Sequence, residues 1–130
     1  SFNLEDDYFD IKLIEELKKS DHILISIPPV NGNDIVIKNF SKIIKKSNPK
    51  WITYLSATSV YGDHNGGWVN EKSKTHPTSK KGKDRLIAEK NWISLSHKEK
   101  IPIQILAKVR EGHCKLPLLT MVRVSLFLQS

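Results

Sequence analysis

Apolar positions along the chain alternate between two kinds of pattern. Leu13, Ile14 and Leu17 fall at helical spacing between Phe9 and Lys19, with Glu15, Glu16, Lys18 and Lys19 opposite, which predicts an amphipathic helix. His22 to Ile27 is a continuous apolar run of strand length, stopped by Pro28-Pro29 because proline cannot donate to a sheet ladder. Val36, Phe40 and Ile43, joined by Ile37 and Ile44, predict a second helix. Asn33 or Asp34 supplies its cap, Lys45 and Lys46 suit its carboxyl end, and Ser47-Asn48-Pro49 terminates it. Trp51 to Ser56 predicts a buried strand that breaks into Ser56-Ala57-Thr58-Ser59 and closes on Tyr61-Gly62. No period is visible from Gly62 to Pro77, which reads as a surface loop. A third helix runs from about Ser79 to Ser96, with Ala88, Trp92 and Leu95 on one face and Leu86 and Ile93 beside it, and Ile101 to Leu106 predicts a third buried strand.

Helices and strands alternating at this spacing predict an α/β fold, a doubly wound parallel sheet with crossover helices. Ligands in such sheets sit at the carboxyl ends of the strands. The hydroxyl-bearing bend after Trp51–Ser56 is therefore the first place to look for function. Its small residues let a bound group approach the backbone, and its hydroxyls can donate to phosphate or sugar oxygens.

Composition narrows the classes. A chain of 130 residues holds one core, and one domain is the natural count. The net charge of +7 comes almost entirely from lysines spread along the chain, with arginine scarce and no groove-reading motif. This reads as solvated lysine faces, and nucleic acid is not an expected partner. The single cysteine, Cys114, allows no internal disulfide and points to a reducing, cytoplasmic compartment. The apolar runs are too short to span a bilayer, so no membrane partner is expected.

The bend, the loop after it and the start of the third helix resemble a known family. Leu55-Ser56-Ala57-Thr58-Ser59-Val60-Tyr61-Gly62 is similar to the Ser-Ser-x-x-Val-Tyr-Gly strand end of the NAD-dependent epimerase/dehydratases, the extended short-chain dehydrogenase/reductases. Asp63, Glu71 and Pro77 resemble the family's loop after that strand. Ser79, Gly82, Arg85, Ala88 and Glu89 resemble its Pro-x-Ser-x-Tyr-Gly-x-Ser-Lys-x-x-x-Glu helix start. Ile23 to Pro29 looks like the strand whose end passes the cofactor's adenosine half. The likeness covers roughly residues 20 to 107. It implies a Rossmann-type fold, NAD or NADP as cofactor, and a sugar-nucleotide or similar hydroxyl/carbonyl small-molecule substrate. The implied reaction is oxidoreduction, and the implied assembly is a homodimer of the full-length parent. The cofactor-binding positions it implies are Ser26, Ile27, Pro28, Ser56, Ala57, Thr58, Lys81 and Arg85.

The departures bear on chemistry. The family's Tyr-x-x-x-Lys pair, one helical turn apart, moves a proton and holds the nicotinamide ribose. Here Lys81 stands at the Tyr position, Arg85 at the Lys position, and Ala57 at the assisting hydroxyl. Lys81, Arg85 and Thr58 are the candidates left for catalysis; two cations one turn apart suit holding a ribose or phosphate better than tuning a phenol. The plainer readings stand beside these: Lys81 and Arg85 as solvated charges, Ser56 and Thr58 as hydroxyls satisfying a strand end, Tyr61 as a packed ring, Glu71 as a loop-fixing carboxylate, and Trp51, Trp68 and Trp92 as packing. His64 has no partner at metal-ligand spacing, so no metal is expected.

No Gly-x-x-Gly-x-x-Gly turn is present, and the first βαβ unit is expected to lie before Ser1. Residues 1–107 thus read as the middle of a NAD(P)-binding domain, with the carboxyl-terminal substrate region also missing. From Lys108 onward there is no Ile, Asn or Asp, although both Cys114 and Met121 fall there. Residues 108–130 accordingly read as an atypical tail from a shifted reading frame or a foreign join. The alternative to an oxidoreductase fragment is a non-catalytic dinucleotide-binding or regulatory protein of the same fold; a third reading is an interaction module without cofactor. Without its phosphate cradle the chain alone is expected to bind dinucleotide weakly or not at all.

Overall fold

The computed structural model describes residues 11–63, 65, 72–108 and 121–127. Helix α1 (Ile11–Lys19) leads into strand β1 (His22–Ile25), helix α2 (Ile35–Ser47) and strand β2 (Trp51–Ala57). A 3-10 turn at Thr58–Tyr61 comes next, then helix α3 (Lys80–Glu99) and strands β3 (Ile103–Lys108) and β4 (Met121–Phe127). The sheet order is β1-β2-β3-β4. β1, β2 and β3 run parallel, with Ile25 level with Tyr54 and Tyr54 level with Ile105. The three-strand parallel sheet with its crossover helices is a partial Rossmann-like α/β fold.

Local chemistry explains the boundaries. Asp34 Oδ1 accepts from the amides of Val36 at 2.9 Å and Ile37 at 3.1 Å, satisfying two of the donors that every helix start leaves open. Asn48 closes α2 in the left-handed region at φ 47°, a conformation asparagine tolerates better than most residues. Between β1 and α2 the chain reverses at Asn31-Gly32, with φ of 50° and 78°, while Val30 and Asn33 exchange both backbone hydrogen bonds. That geometry calls for the Asn-Gly pair found there.

The core gathers on one side of the sheet. Along β2, Ile52, Tyr54 and Ser56 are buried while the residues between them are half-buried. Val36, Phe40 and Ile44 of α2 join Ala88 and Trp92 of α3 in one cluster with Ile103 and Ile105. Tyr54 stacks on Trp92 with ring centroids 6.1 Å apart, and Trp92 Nε1 donates to Asp34 Oδ2 at 2.8 Å. One carboxylate thereby caps α2 and ties it to α3.

Two elements differ from expectation. β1 ends at Ile25 rather than Ile27, and it is the sheet edge, with Leu24 64% exposed; a continuous apolar run does not by itself distinguish a covered strand from an uncovered edge. The pattern predicts no element after Ala107, yet Met121–Phe127 forms β4, antiparallel to β3, with a register shift at Ala107/Lys108. No described helix is long and apolar enough to cross a membrane.

Candidate functional site

Three segments converge at the carboxyl end of β2. The first is the bend itself, Ser56 through the 3-10 turn to Gly62. The second is the start of α3, capped by Ser79, whose Oγ accepts from Gly82 N at 3.0 Å. The third is the β1–α2 loop, whose Asn31 side chain accepts from Lys80 Nζ at 3.2 Å. Parallel pairing stops at Ile25–Tyr54, which leaves Ser26, Ile27 and Pro28 just past the last pair, alongside the end of β2.

Two glycines set how closely these segments pack. A Cβ on Gly82 would lie 2.4 Å from the Ser59 carbonyl oxygen, so the first turn of α3 meets the bend backbone to backbone. A Cβ on Gly62 would lie 1.8 Å from the His76 carbonyl oxygen, and Gly62 sits at φ 72°, ψ −153°. Only glycine adopts that backbone region freely. Both glycines therefore serve packing: Gly82 lets the first turn of α3 meet the bend, and Gly62 lets the bend meet the His76–Pro77 segment.

The sequence-derived site residues separate into distinct roles. Lys81 is exposed, and its ammonium makes no ion pair among the described residues. Arg85, one turn on, instead reaches inward and Nη1 donates to the Leu55 carbonyl at 2.6 Å. The two cations therefore do not act as an equivalent pair. Ser56 is 3% exposed and its Oγ donates to Glu89 Oε1 at 2.5 Å. Its only proton is thus committed to a carboxylate, and toward a ligand Ser56 offers no donor. Thr58 is half-buried with no hydrogen bond on its hydroxyl among the described residues, and Ala57 is half-buried beside it. Ser26 and Pro28 are exposed and Ile27 is half-buried; Ser26 and Ile27 line an apolar cleft of about 280 Å³ shared with α1 and α2. His64, Trp68 and Glu71 lie outside the described residues.

Glu89 and Tyr54 carry more of this site than the sequence suggests. Arg85 and Glu89 stand four residues apart on α3 and grip Leu55 and Ser56, successive residues of β2. Their helical spacing places them on one face, but nothing in the sequence says that this face docks on the strand end. Tyr54 is fully buried, and its hydroxyl has no hydrogen-bond partner at bonding geometry, although Arg85 lies close by. Burial pushes that hydroxyl up from 10.0 to about 12; the nearby Arg85 works against the rise, while Asp34 and Glu89 add to it. Because the folded-state value lies above the unfolded one, the neutral phenol's contribution is complete below pH 10 and is lost as pH rises toward 12. Urea titrations are expected to show about 2–3 kcal/mol more stability lost across that window in the wild type than in Tyr54→Phe. Equal losses would show that Tyr54 does not titrate in this way.

Comparison with known proteins supports the fold. No family model and no curated protein matches the chain. A conserved protein of unknown function from Silicibacter pomeroyi is 36% identical over 65% of this chain and 30% of its own, with a TM-score of 0.59. UDP-glucuronic acid 4-epimerase from Bacillus cereus, solved in complex with NAD, matches 81% of this chain and 37% of its own at 21% identity and a TM-score of 0.56. A mutant of the same enzyme, bound to NAD and a fluorinated UDP-glucuronic acid, matches 78% of this chain and 36% of its own at 22% identity and 0.54. The chain spans about a third of the length of these structures. Its fold resembles that of an NAD-dependent sugar-nucleotide epimerase.

Proposed function

We propose that this chain forms the middle of a dinucleotide-binding domain whose parent takes NAD or NADP at the carboxyl ends of β1 and β2. The observation that supports this reading is the bend at Ala57–Thr58, held against the first turn of α3 at the end of a parallel strand. Open α/β sheets place their ligands there. In this reading Thr58 donates to the ligand, the Lys81 ammonium faces its anionic part, and Ser26 to Pro28 form the neighbouring wall. Arg85 and Glu89 fix the strand end. The bound cofactor would supply the hydride chemistry, and the parent's substrate would be a sugar nucleotide or a similar hydroxyl/carbonyl compound.

A second reading, a dinucleotide-binding protein without turnover, is favoured by one feature. Lys81, Arg85 and Ala57 occupy the positions that carry the proton-transfer residues in the family it resembles. The nearby rings of Tyr54 and Tyr61 are 0% and 1% exposed, so neither reaches a substrate at the surface. Calorimetry with NAD and with NADP on the longest natural polypeptide containing these residues tests binding, and a cofactor-reduction assay with UDP-sugars separates the two readings. Binding with turnover supports the first and binding without turnover the second. No binding by that polypeptide sinks both.

A further inference from the structure

The chain reversal between β1 and α2 holds a side chain with reactive chemistry of its own. Asparagine is among the thermally labile residues. Asn31 is exposed and directly precedes Gly32, with φ of 50° and 78°. Glycine has no side chain to shield its amide nitrogen from the neighbouring carboxamide. The backbone hydrogen bonds of this turn run between Val30 and Asn33. The peptide group joining Asn31 to Gly32 makes none among the described residues, so its rotation breaks no hydrogen bond. Lys80, forty-nine residues away in sequence, donates from Nζ to Asn31 Oδ1 at 3.2 Å. That ammonium draws electron density from the side-chain amide carbon. It also stands where negative charge gathers when a nucleophile attacks that carbon. Asn33 is the contrast: its backbone amide and carbonyl are both bonded to Val30, and the buried Asp34 follows it.

We propose that Asn31 is a self-modification site, which the chain converts to aspartate or isoaspartate without an enzyme and with the assistance of Lys80. The Gly32 amide nitrogen attacks Asn31 Cγ, and the Lys80 ammonium stabilises the oxygen as it becomes negative. The new N–C bond closes a five-membered succinimide. The Cγ–Nδ2 bond breaks, and ammonia leaves with the proton that the Gly32 amide gave up. Water then opens the ring. Opening at the side-chain carbonyl gives aspartate, and opening at the backbone carbonyl moves the chain onto the side chain as isoaspartate. Either product places a carboxylate beside Lys80, on the loop that borders the candidate site. The chemistry belongs to this loop and does not rest on the dinucleotide-binding reading.

Incubation of the folded chain in mildly alkaline buffer, followed by peptide mapping with mass spectrometry, tests this. Labelling by an isoaspartyl methyltransferase identifies the isoaspartate product. Conversion is expected at Asn31 well before Asn33. Lys80→Met keeps an exposed, helix-compatible side chain and removes the charge. It is expected to slow conversion at Asn31 roughly two- to fivefold, the scale of one exposed charge contact. The second Asn-Gly pair of the sequence, Asn65-Gly66, is expected to keep its wild-type rate in that variant. In urea, where Lys80 no longer meets Asn31, the two chains are expected to convert Asn31 equally fast. An Asn31 that stays intact in the wild type overturns the proposal, as does an Asn33 that converts equally fast. An unchanged or faster rate in folded Lys80→Met also overturns it, as does an equal slowing at Asn65 or a difference that survives in urea.

Discussion

Gly62→Ala is expected to lower the stability of this chain by about 2–5 kcal/mol, a large fraction of the roughly 5–15 kcal/mol typical of a native domain. Two penalties act together. The φ of 72° with ψ of −153° lies in a region that side chains exclude, a strain of roughly 1–3 kcal/mol. The new methyl would also meet the His76 carbonyl oxygen at 1.8 Å, so the backbone must move, and overpacking of this kind costs typically about 1–3 kcal/mol more. The less flexible unfolded chain offsets only about 0.4–1 kcal/mol of these terms, and Gly62 lies outside any helix, so its replacement gains no helix propensity. Urea denaturation measures the outcome directly. A loss under about 1 kcal/mol would show that the bend and the His76–Pro77 segment do not meet in this way.

Trp92→Ala is expected to cost about 3–5 kcal/mol. Trp92 is fully buried in the core cluster between α2, α3 and the sheet, and its ring stacks on Tyr54. Removing it opens a cavity and strips Asp34 Oδ2 of its donor. Trp92→Phe separates these effects: it restores much of the volume but not the indole N–H. The phenylalanine variant is expected to recover more than half of the loss, with the remainder reflecting the unpartnered carboxylate oxygen. If both variants are equally unstable, the hydrogen bond to Asp34 outweighs packing and the description of Trp92 as chiefly a core residue fails.

Much of this architecture is legible in the residues, for identifiable reasons. The spacing of Val36, Phe40 and Ile44 defines the buried stripe of α2, and Asp34 caps it, because periodicity and capping are local properties. The alternation of strands and helices gives the parallel core, with β2 and β3 close to their expected places. What escapes is set by contacts distant in sequence. Leu24 belongs to a run as apolar as a central strand, but exposure depends on what lies beside it. Lys81 and Arg85 differ little as sequence, yet one faces solvent and the other turns inward to a carbonyl thirty residues away. Ser56 carries the same hydroxyl as Thr58, and only the approach of Glu89 reveals that its proton is spent. The antiparallel pairing of β4 has no counterpart in the pattern after Ala107. The bend is readable as a candidate site from its residues alone, whereas the division of labour among them is not.

A dinucleotide site at this strand end requires parallel strands that deliver the Ala57–Thr58 bend to the first turn of α3. Nuclear Overhauser contacts in the labelled chain test that arrangement most directly. The expected result is a parallel set of cross-strand contacts joining Ile25 to Tyr54 and Tyr54 to Ile105, together with a close contact between Gly82 and Ser59. Antiparallel contacts between β1 and β2, or no contact between Gly82 and Ser59, would contradict it.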